Sequence, residues 1–151
     1  MVSRPDRLPD RPPGAAGGNN LNNVLRRIIV DGDAEELVKF AEQKGKELSQ
    51  EKLKAAQIRK FFAEVRRLGN EARVSQQSAD LDRIYRRLTL LRPKLAYQAA
   101  RQIAGVRKLR EVLDPAIQLV TADRSNPQRL TRFVELFEAI LAYHKFHDGP
   151  D

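Results

Sequence analysis

Residues 52–68 read KLKAAQIRKFFAEVRRL. A helix advances about 100° per residue. Wound that way, Ile58, Phe61, Phe62, Val65 and Leu68 fall in one apolar stripe. The opposite side carries Lys52, Arg59, Lys60, Arg66 and Arg67, with only the small Ala56 and Ala63 between them. One helix thus offers a face for a core and a flat basic face. The remaining chain reads as cover for the first face and extension of the second.

Immediately around this stretch, Ser49 reads as the helix cap and Gly69-Asn70 as its C-terminal signal. Upstream, Leu21, Val24, Leu25, Ile28 and Ile29 fall at helical spacing after Asn20, which can cap. The run Ile28-Ile29-Val30 is also compatible with the start of a strand. Asp31-Gly32 makes a break, and Asp33 with Glu36 three residues on has the form of a capping box. A short second helix follows, to about Lys44 or slightly past Gly45. Residues 1–19 are rich in Pro, Gly and Arg with little apolar content. They read as a disordered basic N-terminal tail, too poor in burial to fold.

Downstream, EARVSQQSAD (71–80) reads as a polar loop or loose turn. Leu81, Ile84, Leu88 and Leu91 space a further helix, with Arg83, Arg86 and Arg87 off its stripe. Pro93 interrupts it, and proline is accepted in a first helical turn, so a new helix is expected to start there. Its apolar face is Leu95, Ala99, Ile103, Val106, Leu109 and Leu113, with Lys94, Tyr97, Arg101 and Lys108 roughly opposite. Asp114-Pro115 either kinks or restarts this helix. Asn126-Pro127 caps a last one that turns Leu130, Phe133, Val134, Phe137, Ile140 and Leu141 inward. No period-2 alternation and no internal repeat occurs. The fold class is all-α: a compact bundle of five to six helices forming a single domain over residues 20–149.

Composition bounds the function. The 151 residues include no Cys, which rules out disulfides and cysteine metal clusters. Net charge is +8 with a pI near 10.1, which favours an anionic partner, nucleic acid before membrane surface. No apolar run approaches the roughly 20 residues of a membrane span, and no signal-peptide core occurs at the N-terminus; a cytoplasmic protein is expected. Between Arg83 and Arg110 stand nine Lys or Arg residues and no Asp or Glu. Such a run repels itself unless something anionic neutralises it, and phosphates would do so in a salt-dependent way. Tyr97 and Arg101, one turn apart, either meet a base and a phosphate or brace a neighbouring helix. His144 and His147 with Asp148 fall short of a zinc site, which wants three or four ligands; no metal and no cofactor are expected. No P-loop, GxSxG, HExxH or glycine-rich dinucleotide motif appears, and the basic helices lack the clustered carboxylates of a metal-dependent nuclease. The chain therefore reads as a binder, not an enzyme.

Three segments carry a family resemblance. AAQIRKFFAEVRRL (55–68), LLRPKLAYQAAR (90–101) and FVELFEAILAYHKFHDG (133–149) resemble the small-subunit family of the type III-A CRISPR effector, the Csm complex. The resemblance implies a non-catalytic helical bundle that acts in antiviral defence. It implies copies stacked as an inner filament beside backbone and large subunits, along paired guide RNA and target RNA. It also implies basic side chains on phosphates without base readout, as a subunit that must accept any guide requires. Carried onto this chain, the RNA-binding residues are Arg59, Lys60, Arg66 and Arg67 from the first segment and Arg92, Lys94 and Arg101 from the second. Lys52, Lys54 and Lys108 join them by wheel position. The rival readings are the type III-B small subunit and a free-standing helical nucleic-acid-binding or adaptor protein.

Overall fold

Ile58, Phe61, Phe62, Val65 and Leu68 are all buried in the computed structural model, which describes residues 13–75 and 77–151. Among these residues there are six helices and no strand: α1 (Pro13–Ile29), α2 (Ala34–Gln50), α3 (Ala55–Val74), α4 (Ser78–Ala100), α5 (Val106–Ala122) and α6 (Gln128–Phe146). The all-α bundle expected from periodicity is what the chain forms. Phe133, Leu136, Phe137 and Ile140 of α6 are fully buried, and α6 packs against α1, α2, α3 and α5. The Phe62 and Phe137 rings meet edge-on at 5.4 Å, fixing α3 on α6.

Several boundaries differ from the sequence expectation, each for a physical reason. α1 begins at Pro13 and not at Asn20. Proline suits a first turn because the N–H it lacks would have had no partner there. The tail reading otherwise falls on residues 1–12, which lie outside the described residues. Ile28 and Ile29 close α1 and Val30 forms the turn after it, so the Ile-Ile-Val run ends a helix and starts no strand. The last carbonyl of α1, Ile29, and that of Val30 just beyond it accept from the Arg132 Nη1 of α6 at 3.3 and 2.9 Å. Asp33 caps α2 as read, its Oδ1 accepting from the Glu36 N–H at 3.0 Å. That bond holds the Asp33 carboxyl below the usual carboxylate range.

α2 then runs through Gly45 to Gln50. Glycine is what the crossing requires: a Cβ at position 45 would stand 2.7 Å from the His144 backbone nitrogen and from Tyr143 Cβ. Ser49 is consequently inside α2 and does not cap α3; its hydroxyl donates to the His147 carbonyl at 2.7 Å. α3 starts later, at Ala55, after a Lys54 that offers no side-chain cap. Its first free N–H groups, on Ala55 and Ala56, donate instead to the carbonyls of Pro150 and Asp151 at 2.8 and 3.1 Å. Gly69 does not end α3 either; it lies within the helix, facing Val134 of α6.

The largest correction concerns proline. α4 passes through Pro93 and α5 through Pro115. An interior proline costs a helix ~3 kcal/mol. A break there would take Leu95 and Ala99 out of line with Leu88 and Leu91, and all four are buried; burial of this shared stripe, ~1.5–3 kcal/mol for a large side chain, holds the helix continuous. Pro93 itself is on the exposed side. The real break is at Arg101–Gly105, where Gln102 (φ 61°) and Gly105 (φ 80°) take left-handed backbone. Gly105 also abuts the Leu53 backbone, leaving no room for a side chain.

Candidate nucleic-acid interface

α3 lies between α4 and α6, with its solvent face open. Arg59 and Arg66 are seven residues apart, as are Lys60 and Arg67. Two turns of helix nearly restore direction, so each pair forms a row along the face. All four side chains are exposed. Their surroundings differ. Arg67 is gripped by Glu64 at 2.8 Å and Glu71 at 2.6 Å. Those contacts raise the Arg67 pKa further and, through the Arg67 hydrogen bond foremost, lower that of Glu64. Arg59, Lys60 and Arg66 make no ion pair with any described residue. Arg59 and Arg66, with Arg67, rim a groove of about 620 Å³ against Leu141 of α6.

α4 runs alongside in the opposite sense, with Arg83 against Glu71 at 3.1 Å and Lys94 and Tyr97 against Lys60. Arg87, Lys94 and Arg101 recur every seventh residue, forming one exposed line down the helix. At 1.5 Å per residue this line is ~21 Å long. Between α3 and α4 lies a second groove of about 510 Å³, floored by Phe61 and Leu91 and bordered by Lys60, Lys94 and Tyr97. Glu64 is the acidic residue on this groove, and its charge is already met by Arg67. Tyr97 is 63% exposed, with the Arg101 guanidinium 5.9 Å from its ring. This cation–π pair is confined to one helix and braces no neighbour.

The expected residues thus divide. Arg59, Lys60, Arg66, Arg67, Lys94 and Arg101 are brought to one side by α3 and α4. Arg92 is half-buried and bonded to Asp114, its Nε donating to Oδ1 at 2.8 Å, which ties α4 to α5 and lowers the Asp114 pKa. Lys108, also half-buried, points to Glu47 of α2 at 3.9 Å. Lys52 and Lys54 are exposed but precede α3, Lys52 with left-handed backbone (φ 66°), so neither belongs to the helical face. The sequence reading missed the seven-residue line through Arg87, although its spacing was legible. It weighed His144 only as a metal ligand and not as a core contact, whereas the side chain is fully buried with Nε2 2.6 Å from the Leu53 carbonyl. That ring fastens α6 to the turn before α3. Among the described residues no three His, Cys, Asp or Glu side chains gather as a metal-binding group, and no helix is long and apolar enough to cross a membrane.

Fold and surface define a class: a small all-α bundle whose basic face is built on two neighbouring helices. The family model Csm2 Type III-A matches residues 31–150, everything from just after α1 through α6. The chain belongs to that family, and is a small subunit of the type III-A Csm effector complex, with the other Csm subunits as partners. The family is one of small, non-catalytic subunits. No curated protein and no solved structure matches the chain.

Proposed function

We propose that this subunit contacts the phosphate backbone of the guide RNA and target RNA through the joined faces of α3 and α4. Its copies stack as an inner filament beside the backbone and large subunits, in the cytoplasm. The observation that carries the reading is the set Arg59, Lys60, Arg66, Lys94 and Arg101: exposed and without an ion-pair partner among the described residues, on adjacent helices. Long cations without carboxylates repel one another and gain most from a polyanion. Rows of cations at helical spacing suit a backbone met without regard to base identity. Arg67, Arg92 and Lys108 add less, because Glu64, Asp114 and Glu47 already meet their charges. Lys52 and Lys54 would reach only RNA that extends past the start of α3. In a stack, each subunit repeats the face, and many weak contacts add to a firm hold.

The test is retention of target RNA by the assembled complex across a salt series. Charge reversal of Arg59 and Arg66 together, or of Lys94 and Arg101 together, is expected to weaken retention and flatten its salt dependence while circular dichroism stays that of the wild type. For every phosphate no longer neutralised, the log–log salt slope falls by ~0.7–0.9. Unchanged retention in both double variants would refute the assignment. Tight RNA binding by the isolated chain, with no gain on assembly, would favour a free-standing nucleic-acid-binding protein.

A further inference from the structure

We propose that the groove between α3 and α4 is a site for a single unpaired nucleotide, its base laid against Tyr97 and its phosphate held by Lys60 and Lys94. The inference rests on the RNA-contact reading above and adds to it a ligand that backbone contact alone does not require. A paired duplex turns its phosphates outward and keeps its base faces stacked inside. It has no use for an apolar floor. This groove has one, made of Phe61 and Leu91, beside a tyrosine ring that remains 63% exposed. An exposed aromatic at the edge of a cationic groove is the arrangement on which unpaired bases stack, since every base has a π-face.

The remaining lining fits the other parts of a nucleotide. Lys60 and Lys94 come from opposite walls and have no ion-pair partner among the described residues. Glu64, which would repel a phosphate, is engaged by Arg67 at 2.8 Å. The Gln98 amide, on the same wall as Tyr97, supplies both donors and an acceptor for a base edge. Arg101 over the Tyr97 ring extends the stacking surface with a planar cation. The volume, about 510 Å³, lies within the ~300–1,000 Å³ of sites that hold small molecules. The groove between α3 and α6 differs in that no exposed aromatic ring borders it: Phe62 is buried there and Leu141 is aliphatic.

The experiment titrates the full chain, wild type and variants, with a short single-stranded RNA and with a blunt RNA duplex of equal length at matched salt, followed by NMR of the tyrosine ring signals. The wild type is expected to bind the single strand more tightly and to shift the Tyr97 ring. Tyr97→Ala, at an exposed position, is expected to lose about tenfold or more in single-strand affinity, as removal of a stacking partner does, with duplex binding and the salt slope unchanged. Tyr97→Phe is expected to keep wild-type affinity. Lys94→Ala is expected to lower the salt slope by ~0.7 instead. Equal binding of duplex and single strand, with no effect of Tyr97→Ala, would overturn this site and leave the backbone contact standing. Equal losses in Tyr97→Ala and Tyr97→Phe would overturn stacking in favour of a hydroxyl bond. No binding of either RNA by the isolated chain would overturn this nucleotide site, whereas the backbone contact is decided by target-RNA retention in the assembled complex.

Discussion

Gly45→Ala separates two lines of reasoning by the sign of one number. By helix propensity alone, alanine in the interior of a 17-residue helix is better than glycine by ~1 kcal/mol, and the variant should be more stable. The structure says otherwise. The added Cβ would sit 2.7 Å from the His144 backbone nitrogen and 2.7 Å from Tyr143 Cβ. Ordinary contact begins at about 3.5 Å. The nearest neighbours are backbone and a Cβ, which no rotamer change can move, so α2 and α6 must part by several tenths of an ångström. That separation loosens the fully buried Ala41, Leu48 and Ile140 alongside. Overpacking of this kind costs ~1–3 kcal/mol; with relief by rotation blocked, the upper end applies. Subtracting the propensity gain leaves a net loss of ~2 kcal/mol, or ~4–8 °C in Tm for a chain of this size. Thermal unfolding by circular dichroism reads it directly. Gly69→Ala is the internal comparison: its Cβ meets only Val134 Cγ2, at 2.9 Å, on a half-buried side chain that can yield. There, propensity and contact roughly cancel, and Tm should stay within ~2 °C of wild type. A Gly45→Ala protein as stable as wild type, or more so, would refute the account of the α2–α6 crossing.

Three further outcomes follow from single contacts. Arg92→Ala removes both bonds to Asp114 and is expected to cost ~1 kcal/mol at neutral pH, measured by urea unfolding. Because the folded Asp114 pKa lies below its ordinary value, that contribution is present above about pH 4 and is lost as pH falls through the folded pKa; wild type and variant should converge in acid. His144→Leu keeps the volume but strands the buried Leu53 carbonyl, with an expected loss of ~1–3 kcal/mol and a Tm several degrees lower. Ser49→Ala deletes the bond to the His147 carbonyl and is expected to cost ~0.5–1.5 kcal/mol with helix content unchanged; a stability gain would show that the contact is unimportant.

Apolar periodicity made most of the fold legible. The stripe Ile58, Phe61, Phe62, Val65, Leu68 and the inward face of α6 are where 3.6-residue spacing puts them. Punctuation was less readable, because its meaning depends on what lies across the bundle. Gly45 and Gly69 look like helix ends until α6 is placed against them; then they are points of close approach. Pro93 looks like a start, yet the burial on both of its sides holds the helix together. Ser49 has the chemistry of a cap, but its partner, the His147 carbonyl, is 98 residues away. Tertiary contacts of this range leave no local trace in a single sequence.

For the candidate interface, the same distinction decides which cations are available. Arg67 could have been set apart from sequence alone, since Glu64 and Glu71 stand three before and four after it, where helical side chains meet. Arg92 and Lys108 could not, because Asp114 and Glu47 reach them from other helices. Setting aside these three, and Lys52 and Lys54 that precede α3, leaves Arg59, Lys60 and Arg66 on α3, Lys94 on α4 and Arg101 at its C-terminal cap, together with the Arg87 that spacing adds. These are not scattered over the bundle. Arg59, Lys60, Arg66 and Lys94 border the two grooves on either side of α3, Arg87 and Arg101 continue the Lys94 line, and Glu64 and Glu71 are spent on Arg67 and Arg83. A surface evolved only for solubility would intersperse the signs. Segregation costs self-repulsion, which a bound polyanion relieves, so the arrangement of the charges argues for RNA more strongly than their number does.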